Sequence, residues 1–496
     1  MKVTIDGMAW LDASAMTEGQ RRNLMGRLTV YPRAATGFGK AQPEPIYLYE
    51  DWEEMGLIGI PRGFYATNKK SSHEEVVEVS DGGAMSEDVR SLMRFDGPFA
   101  EQAKALTVME AAFENKDFGG IILKAGCGFG KTNTALEFAY RLGRKTLILV
   151  HKEFFLRQWK ERIETFLPGA RVGFIRQDKC EFEDVDFSIA LVQSLAKDGD
   201  GDRYPQEIYD AFGLVITDEV HRFGAATWAP VMPRFKARWR LGLTATPRRK
   251  DDAEDVFFHH IGPIVYSART QPLVPKVRRL FTDTQLTPIV RGREVIDASK
   301  IGPALVTSQL AADKFRTRQI VEDMVHAVKR GRKLLVVSER LEHLRSMASE
   351  LNAVLSTMEI EFPPVCDFYT GEWFTGEVDG SGKPKKRTRT EEDLRKAERA
   401  NVIFATKQMV EEGLDIPALD VLVLATPMGD VEQAAGRVRR HCKPSDSKCQ
   451  HLCPWRAGVC PEKPLPIVVD VVDENVSQVA GKTRARKRFY KSIGAG

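Results

Sequence analysis

The chain has 496 residues, 43% hydrophobic and 29% charged, with a formal net charge of +4. Such a length exceeds what one core can organise and suggests about three domains, while the composition excludes disorder throughout. The mild charge neither requires nor forbids a polyanionic partner. The start MKVTIDGMAW has no apolar h-region and no run approaches about 18 apolar residues, so the expectation is a soluble, cytoplasmic protein without membrane contact.

In chain order, residues 1–93 read as a small α+β accessory domain and linker. LTVYPR (28–33) and PIYLYEDW (45–52) look like strands, and IGIPRGFY (58–65) like a tight turn presenting Arg62. Either the aromatics pack as a core, or Arg62 and its neighbours touch nucleic acid. Residues 66–93 are polar and read as a linker or exposed hairpin. From 94 to 270 apolar strands alternate with helices: KTLILV (145–150), FSIALVQSL (187–195), FGLVITDEVH (212–221) and RWRLGLTATP (238–247). This pattern predicts a parallel sheet covered on both faces, with ligands at the strands' carboxyl ends. Residues 271–302, with Pro272, Pro275 and Pro288, read as an interdomain connection. A second α/β set over 303–496 has a helix near 309–330 and strands KLLVVS (333–338), VCDFYT (365–370), NVIFAT (401–406), VLVLAT (421–426) and PIVVDVVD (466–473). Residues 373–390 read as a mobile loop and 482–491 as a basic tail.

The chemistry centres on IILKAGCGFGKTNT (121–134). Gly126, Gly128 and Gly130 let backbone N–H groups close round phosphate oxygens, and the following helix N-terminus favours anions. Lys131 can reach the β- and γ-phosphates and Thr132 can ligate Mg²⁺. Ala125 stands where the generic phosphate loop begins with glycine. Asp218, at the end of an apolar strand, suits the second Mg²⁺ contact, and Glu219 beside it suits activation of water. Thr244 and Thr246 end another strand and suit coupling to a neighbouring domain. Arg437 and Arg440 stand three residues apart, which would put two guanidiniums on one helical face, as arginine fingers or as a basic surface.

The ordered motifs AGCGFGKT, VQSL, DEVH, TAT, EGLDIP and QAAGRVRR resemble motifs I, Ic, II, III, V and VI of superfamily 2 helicases, and LILVHKEFFLRQW resembles motif Ia. The resemblance spans roughly 94–442. GLTATPRR and QAAGRVRR look closest to the XPB/UvsW group, and the size resembles bacteriophage branch-migration helicases. The resemblance implies two tandem RecA-like domains that clamp ATP and walk along a nucleic-acid strand. By position it implies that Lys131, Thr132, Asp218 and Glu219 bind and hydrolyse MgATP, with Gln102 reading adenine and Gly413 and Asp415 also lining the nucleotide. It further implies that Gln433, Arg437 and Arg440 complete the site from the second domain, and that His221, Thr244 and Thr246 couple hydrolysis to movement. Lys250-Asp251-Asp252 departs from the Arg-Glu-Asp signature of XPB-like proteins.

Cys442, Cys449, Cys453 and Cys460 follow C-x6-C-x3-C-x6-C, a spacing fit for a structural Zn²⁺ knuckle. A 4Fe–4S cluster or four free thiols are the alternatives, and His441 or His451 could replace one ligand. Lys443, Lys448, Arg456 and Lys463 beside it suit contact with DNA near a fork. Lys383, Lys385, Lys386, Arg387 and Arg389, with the 482–491 tail, suit phosphate contact. The leading expectation is a monomeric ATP-dependent DNA helicase or translocase acting on branched DNA in replication, recombination or repair, in the host cytoplasm if phage-encoded. Alternatives are an RNA helicase, a motor subunit of a restriction-type complex, or an inactive scaffold.

Overall fold

The computed structural model describes residues 1–33, 43–96, 99–126, 129–197, 203–222, 229–249, 251–268, 273–291, 294–359, 363–378, 380, 384–412, 414, 416–440 and 463–495. The chain divides into two compact units, Met1–Thr270 and Gln271–Gly496.

The central sheet of the first unit runs, in order, 179–180, 172–176, 187–191, 146–150, 214–218, 239–244, 119–124 and 264–267. All pairings are parallel except the Lys179–Cys180 edge. The strands are apolar at nearly every position because side chains alternate between two covered faces. Ile148, Val150, Leu214 and Ile216 enter one core, while Leu147, Leu149 and Val215 enter the other. The run expected as one strand at 187–195 ends at Leu191 and continues as a helix, Val192–Ala196. Val192 and Leu195 bury at i and i+3, so the apolar run fitted either period.

The N-terminal part is a five-stranded sheet in the order 50–52, 57–60, 9–12, 2–5, 74–77. Two expectations are corrected here. The polar stretch at 66–93 is no linker: Glu74–Val77 pairs in parallel with Lys2–Ile5, and Met85 and Val89 enter the main core. Backbone groups hold it, with Ser80 N donating to Lys236 O, Arg238 N to Ser80 O and Ser86 N to Asp186 Oδ1, so no hydrophobic period announces it. Nor does the sequence at 61–68 form a turn presenting Arg62. It is a helix, Arg62–Asn68, in which Arg62 is 2% exposed and donates to Asp6 O and Ala237 O, each at 2.8 Å. Burial lowers its pKa to about 9. Arg240, also buried, donates to the carbonyls of Gly7, Met232, Phe235 and His260. These guanidiniums and a shared apolar core, Val3 and Ile58 with Phe118, Ala229 and Ala253, weld the N-terminal sheet to the larger one. Gly7 permits the approach, since a Cβ there would lie 1.6 Å from Pro233 O.

The second unit has six parallel strands in the order 276–282, 467–473, 421–424, 334–338, 402–406, 366–369. Lys276–Thr282, expected within a connection, is an edge strand. Its charged, half-exposed residues lack the apolar signature of the strands buried on both sides. The helix expected at 309–330 is two, Pro303–Ala312 and Lys314–Lys329, parted at Asp313, whose carboxylate caps the second by accepting Phe315 N and Arg316 N. The loop expected at 373–390 is largely a hairpin, Glu372–Val378 with Pro384–Thr388, and Lys383 lies outside the described residues. Trp373 stacks on Phe368 at 3.7 Å between ring centres, and Arg387 and Arg389 pair with Asp393 and Asp367.

The basic tail is a core helix, Ala480–Ser492. Arg486 is 1% exposed, pairs with Asp470 at 2.6 Å and donates to Met428 O. Arg486→Ala leaves the buried Asp470 carboxyl without its ion-pair partner, at an expected cost of about 3–5 kcal/mol, to be read as a fall in the urea midpoint of the transition belonging to this unit.

Candidate nucleotide site

Gly119–Lys124 delivers the glycine loop to the N-terminus of the helix Lys131–Leu142. Gly130 caps that helix with φ +91°, a left-handed conformation that explains the glycine. Lys131 folds back over the loop, its Nζ 3.0 Å from Ala125 O and 3.6 Å from Glu219 Oε1. Thr132 lies in the first helical turn. Gln102, on the helix Ala100–Ala111, donates to Phe129 O, so the residue expected to read adenine touches the phosphate loop. Gly126 is described; Gly128 is outside the described residues.

Leu214–Asp218 lies in parallel beside Trp239–Thr244, which brings the two carboxylates and the Thr-Ala-Thr turn together at the carboxyl ends of adjacent central strands. Asp218 Oδ2 accepts the indole N–H of Trp159 at 2.9 Å. Glu219 holds φ +53°, unusual for a residue with a Cβ and a store of strain typical of functional sites. Its Oε2 is buried without a hydrogen-bond partner among the described residues, 3.4 Å from His221 Nδ1. His221 Nδ1 is 3.1 Å from Thr244 Oγ1. That hydroxyl gives its proton to Thr246 O and accepts Thr246 N, so it can only accept from His221, which fixes the Nδ1–H tautomer.

Burial first, and then the charge of Glu219, raise the Asp218 pKa to about 6. Burial would also raise Glu219, but Lys131, followed by His221, outweighs it and holds Glu219 below its ordinary range. Burial lowers His221, partly offset by Glu219, so the imidazole is neutral at neutral pH. A strained base with an orphaned oxygen, a carboxylate that ionises reluctantly and an ammonium parked on a carbonyl fit a polyphosphate with a divalent cation. Thr132 and Asp218 would hold Mg²⁺, whose charge neutralises phosphate oxygens, and Lys131 would bind the phosphates. Among the described residues no group of three or more His, Cys, Asp and Glu gathers to hold a metal. Mg²⁺ shared with phosphates needs only one or two carboxylates.

The second unit carries the other expected residues. Arg437 lies in the helix Glu432–Val438, and its guanidinium donates to Val410 O and Glu411 O, tying that helix to Lys407–Glu412. Gln433 Oε1 is buried without a hydrogen-bond partner among the described residues. Arg440 falls two residues beyond the helix end, so the expected shared helical face is corrected. Gly413, Asp415 and the four cysteines lie outside the described residues. Lys463, expected at DNA, instead donates to the carbonyls of Pro417, Val438 and Arg440. Sequence reasoning missed Trp159 as a part of the site. Trp159 closes the stretch that resembles motif Ia, and only the packing of its helix against the strand Leu214–Asp218 reveals its N–H contact.

Residues 97–249 match the family model described as type III restriction enzyme, res subunit, and residues 317–442 match the helicase conserved C-terminal domain. The chain is 27% identical over 478 residues to L396 of Acanthamoeba polyphaga mimivirus, named as an ATP-dependent RNA helicase, covering 95% of this chain and 81% of that one. It is 25% identical over 324 residues to D10 of Escherichia phage T5, named as a helicase, covering 64% of this chain and only 64% of the phage protein. It is 23% identical over 406 residues to QP509L of African swine fever virus, also named as an ATP-dependent RNA helicase, covering 76% of this chain and 69% of that one. The crystal structure of T4 UvsW aligns over 99% of this chain and 98% of that one at a TM-score of 0.38 and 14% identity. Fold and site define an ATP-dependent nucleic-acid helicase. The chain belongs to helicase superfamily 2 and is similar to helicases of phages and other viruses. Among the described residues, no helix is long and apolar enough to cross a membrane.

Asp218 gives the site a pH response. Because its folded pKa is raised from 3.8 to about 6, Asp218 costs stability progressively as pH rises between those values, and above about 6 it is ionised at full cost. ATP hydrolysis at limiting Mg²⁺ should therefore fall as pH drops through about 6, and added Mg²⁺ should move that limb to lower pH. Trp159→Phe keeps the ring but removes the donor that lowers this pKa. The limb should move to higher pH and the half-saturating Mg²⁺ should rise about tenfold, as read in Mg²⁺ titrations of a chain with unchanged circular dichroism.

Proposed function

We propose that the chain is an ATP-driven DNA translocase that remodels forks and junctions in replication, recombination or repair. The observation that carries the motor half is the constellation Lys131, Asp218, Glu219, His221 and Thr244 at the carboxyl ends of a single sheet's strands, with Lys131 3.6 Å from Glu219. Lys131 would bind the phosphates, Glu219 would take the proton of the attacking water, and His221 and Thr244 would pass the change to the adjoining turn. The DNA half is supported by the likeness of GLTATPRR and QAAGRVRR to the XPB/UvsW group.

The helix Ala480–Ser492 supplies a candidate surface for the nucleic-acid backbone. Arg484, Lys487, Arg488 and Lys491 lie at i, i+3, i+4 and i+7, all exposed, opposite the buried Thr483, Arg486 and Tyr490. Replacing all four with Gln should weaken nucleic-acid binding at every sequence. It should also flatten the dependence of log affinity on log salt, by about 0.9 for each phosphate that the helix no longer neutralises.

A second reading, an RNA helicase, is favoured by the names of two viral relatives. ATP hydrolysis by the purified chain, alone and with single-stranded DNA, four-way DNA or RNA, separates them. Stimulation by branched DNA, absent in Lys131→Ala, is the expected result. Stimulation by RNA alone would replace the DNA reading, and hydrolysis without unwinding of any substrate would favour a motor subunit of a larger complex. For the four cysteines, a structural zinc knuckle remains the reading their spacing supports, and about one zinc per chain by elemental analysis is the expected outcome.

A further inference from the structure

The turn that carries Glu219 is joined to the N-terminal sheet by the short segment that follows Thr244. Thr244 ends its strand bonded to His221. Five residues later the Arg249 guanidinium, 13% exposed, is held on two sides. Its Nη1 donates to the His221 carbonyl, while Nε and Nη2 grip the Asp251 carboxylate at 2.8 and 2.6 Å. The Asp251 carbonyl accepts the Arg33 amide at 2.9 Å, and the Arg33 guanidinium lies 2.7 Å from Asp252. Arg33 follows the two-stranded ribbon Thr29–Val30 with Ile46–Tyr47. Two residues past Asp251, Ala253 is fully buried in the N-terminal core with Leu28, Val30 and Phe64, as is Val256.

One arginine thus spans the ATPase turn and the seam of the N-terminal domain. A bidentate guanidinium fixes distance and plane, so neither partner moves far alone. The turn itself has reason to move. Lys131 is the strongest charge on Glu219 and sits on Ala125 O, and a phosphate chain would draw it away. Glu219 would then lose its strongest counter-charge, with only the neutral His221 ring 3.4 Å away. Glu219 and His221 share one short turn, Val220–Arg222, closed by Arg222 N donating to Glu219 O. A shift of the carboxylate therefore carries the His221 carbonyl with it, and that carbonyl is the one Arg249 holds.

We propose that Arg249 is a positioning residue that links the Glu219–His221 turn to Asp251 and, through it, to the ribbon ending at Arg33, so that nucleotide occupancy is transmitted to the N-terminal domain. The proposal rests on the reading of the site as a nucleotide site. It assigns Asp251 a task as the partner of Arg249, at a place where the sequence departs from the signature of XPB-like proteins.

The test is amide hydrogen exchange of the full chain with and without a non-hydrolysable ATP analogue and Mg²⁺, read at residues 28–33 and 46–48. In the native chain the analogue should change exchange there by about fivefold or more. In Arg249→Ala, and independently in Asp251→Asn, which keeps the side-chain volume, that difference should disappear while binding of a fluorescent ATP analogue persists. A purely structural role would speed exchange equally with and without nucleotide and leave the difference intact, which overturns the proposal. A native chain that binds the analogue but shows no change at 28–33 also overturns it. A native chain that binds no analogue removes the nucleotide-site reading itself, and the linkage with it.

Discussion

The first motor domain turns on the cost of placing two adjacent carboxylates, Asp218 and Glu219, at the buried end of an apolar strand. Removing charge from water is expensive, and two like charges side by side raise the expense. The structure meets it unevenly. Asp218 has neutral donors, the Trp159 indole and the Glu219 amide, and keeps a raised pKa, whereas Glu219 has Lys131 and a nearby imidazole and stays ionised. Two chemically similar groups are thereby set apart, one ionising reluctantly and the other held charged. The left-handed backbone of Glu219 and the folded-back Lys131 follow from the same compromise.

A second constraint recurs at the seams. Arg62, Arg240, Arg316, Arg437 and Arg486 are buried, and each donates to one or more backbone carbonyls. Guanidiniums suit this because their donors diverge in a plane and can satisfy several carbonyls at once. In a chain with so many basic residues, a positive charge is therefore weak evidence for a polyanion. Arg62, Lys463 and Arg486 lie in stretches that read as basic, yet each holds the protein's own backbone. Arg484, Lys487, Arg488 and Lys491 share a helix with Arg486 and face outward, and only the fold separates the two sets.

The sequence by itself determined the two parallel-sheet domains and the identity of the chemical groups. Strands covered on both faces must be apolar along their length, and a phosphate loop must have glycines and a lysine at fixed spacing, so both leave local signatures. Edge strands such as Lys276–Thr282, and polar segments held by backbone hydrogen bonds such as Glu74–Val77, leave none, because their partners are remote in the chain. Tertiary structure alone decided that the N-terminal sheet is welded to the first motor domain. It also decided that Trp159 supports Asp218 and that Arg249 bridges His221 and Asp251. The reason is the same each time: hydrogen bonds between residues far apart in sequence depend on which strands lie side by side, and no spacing within the chain records that.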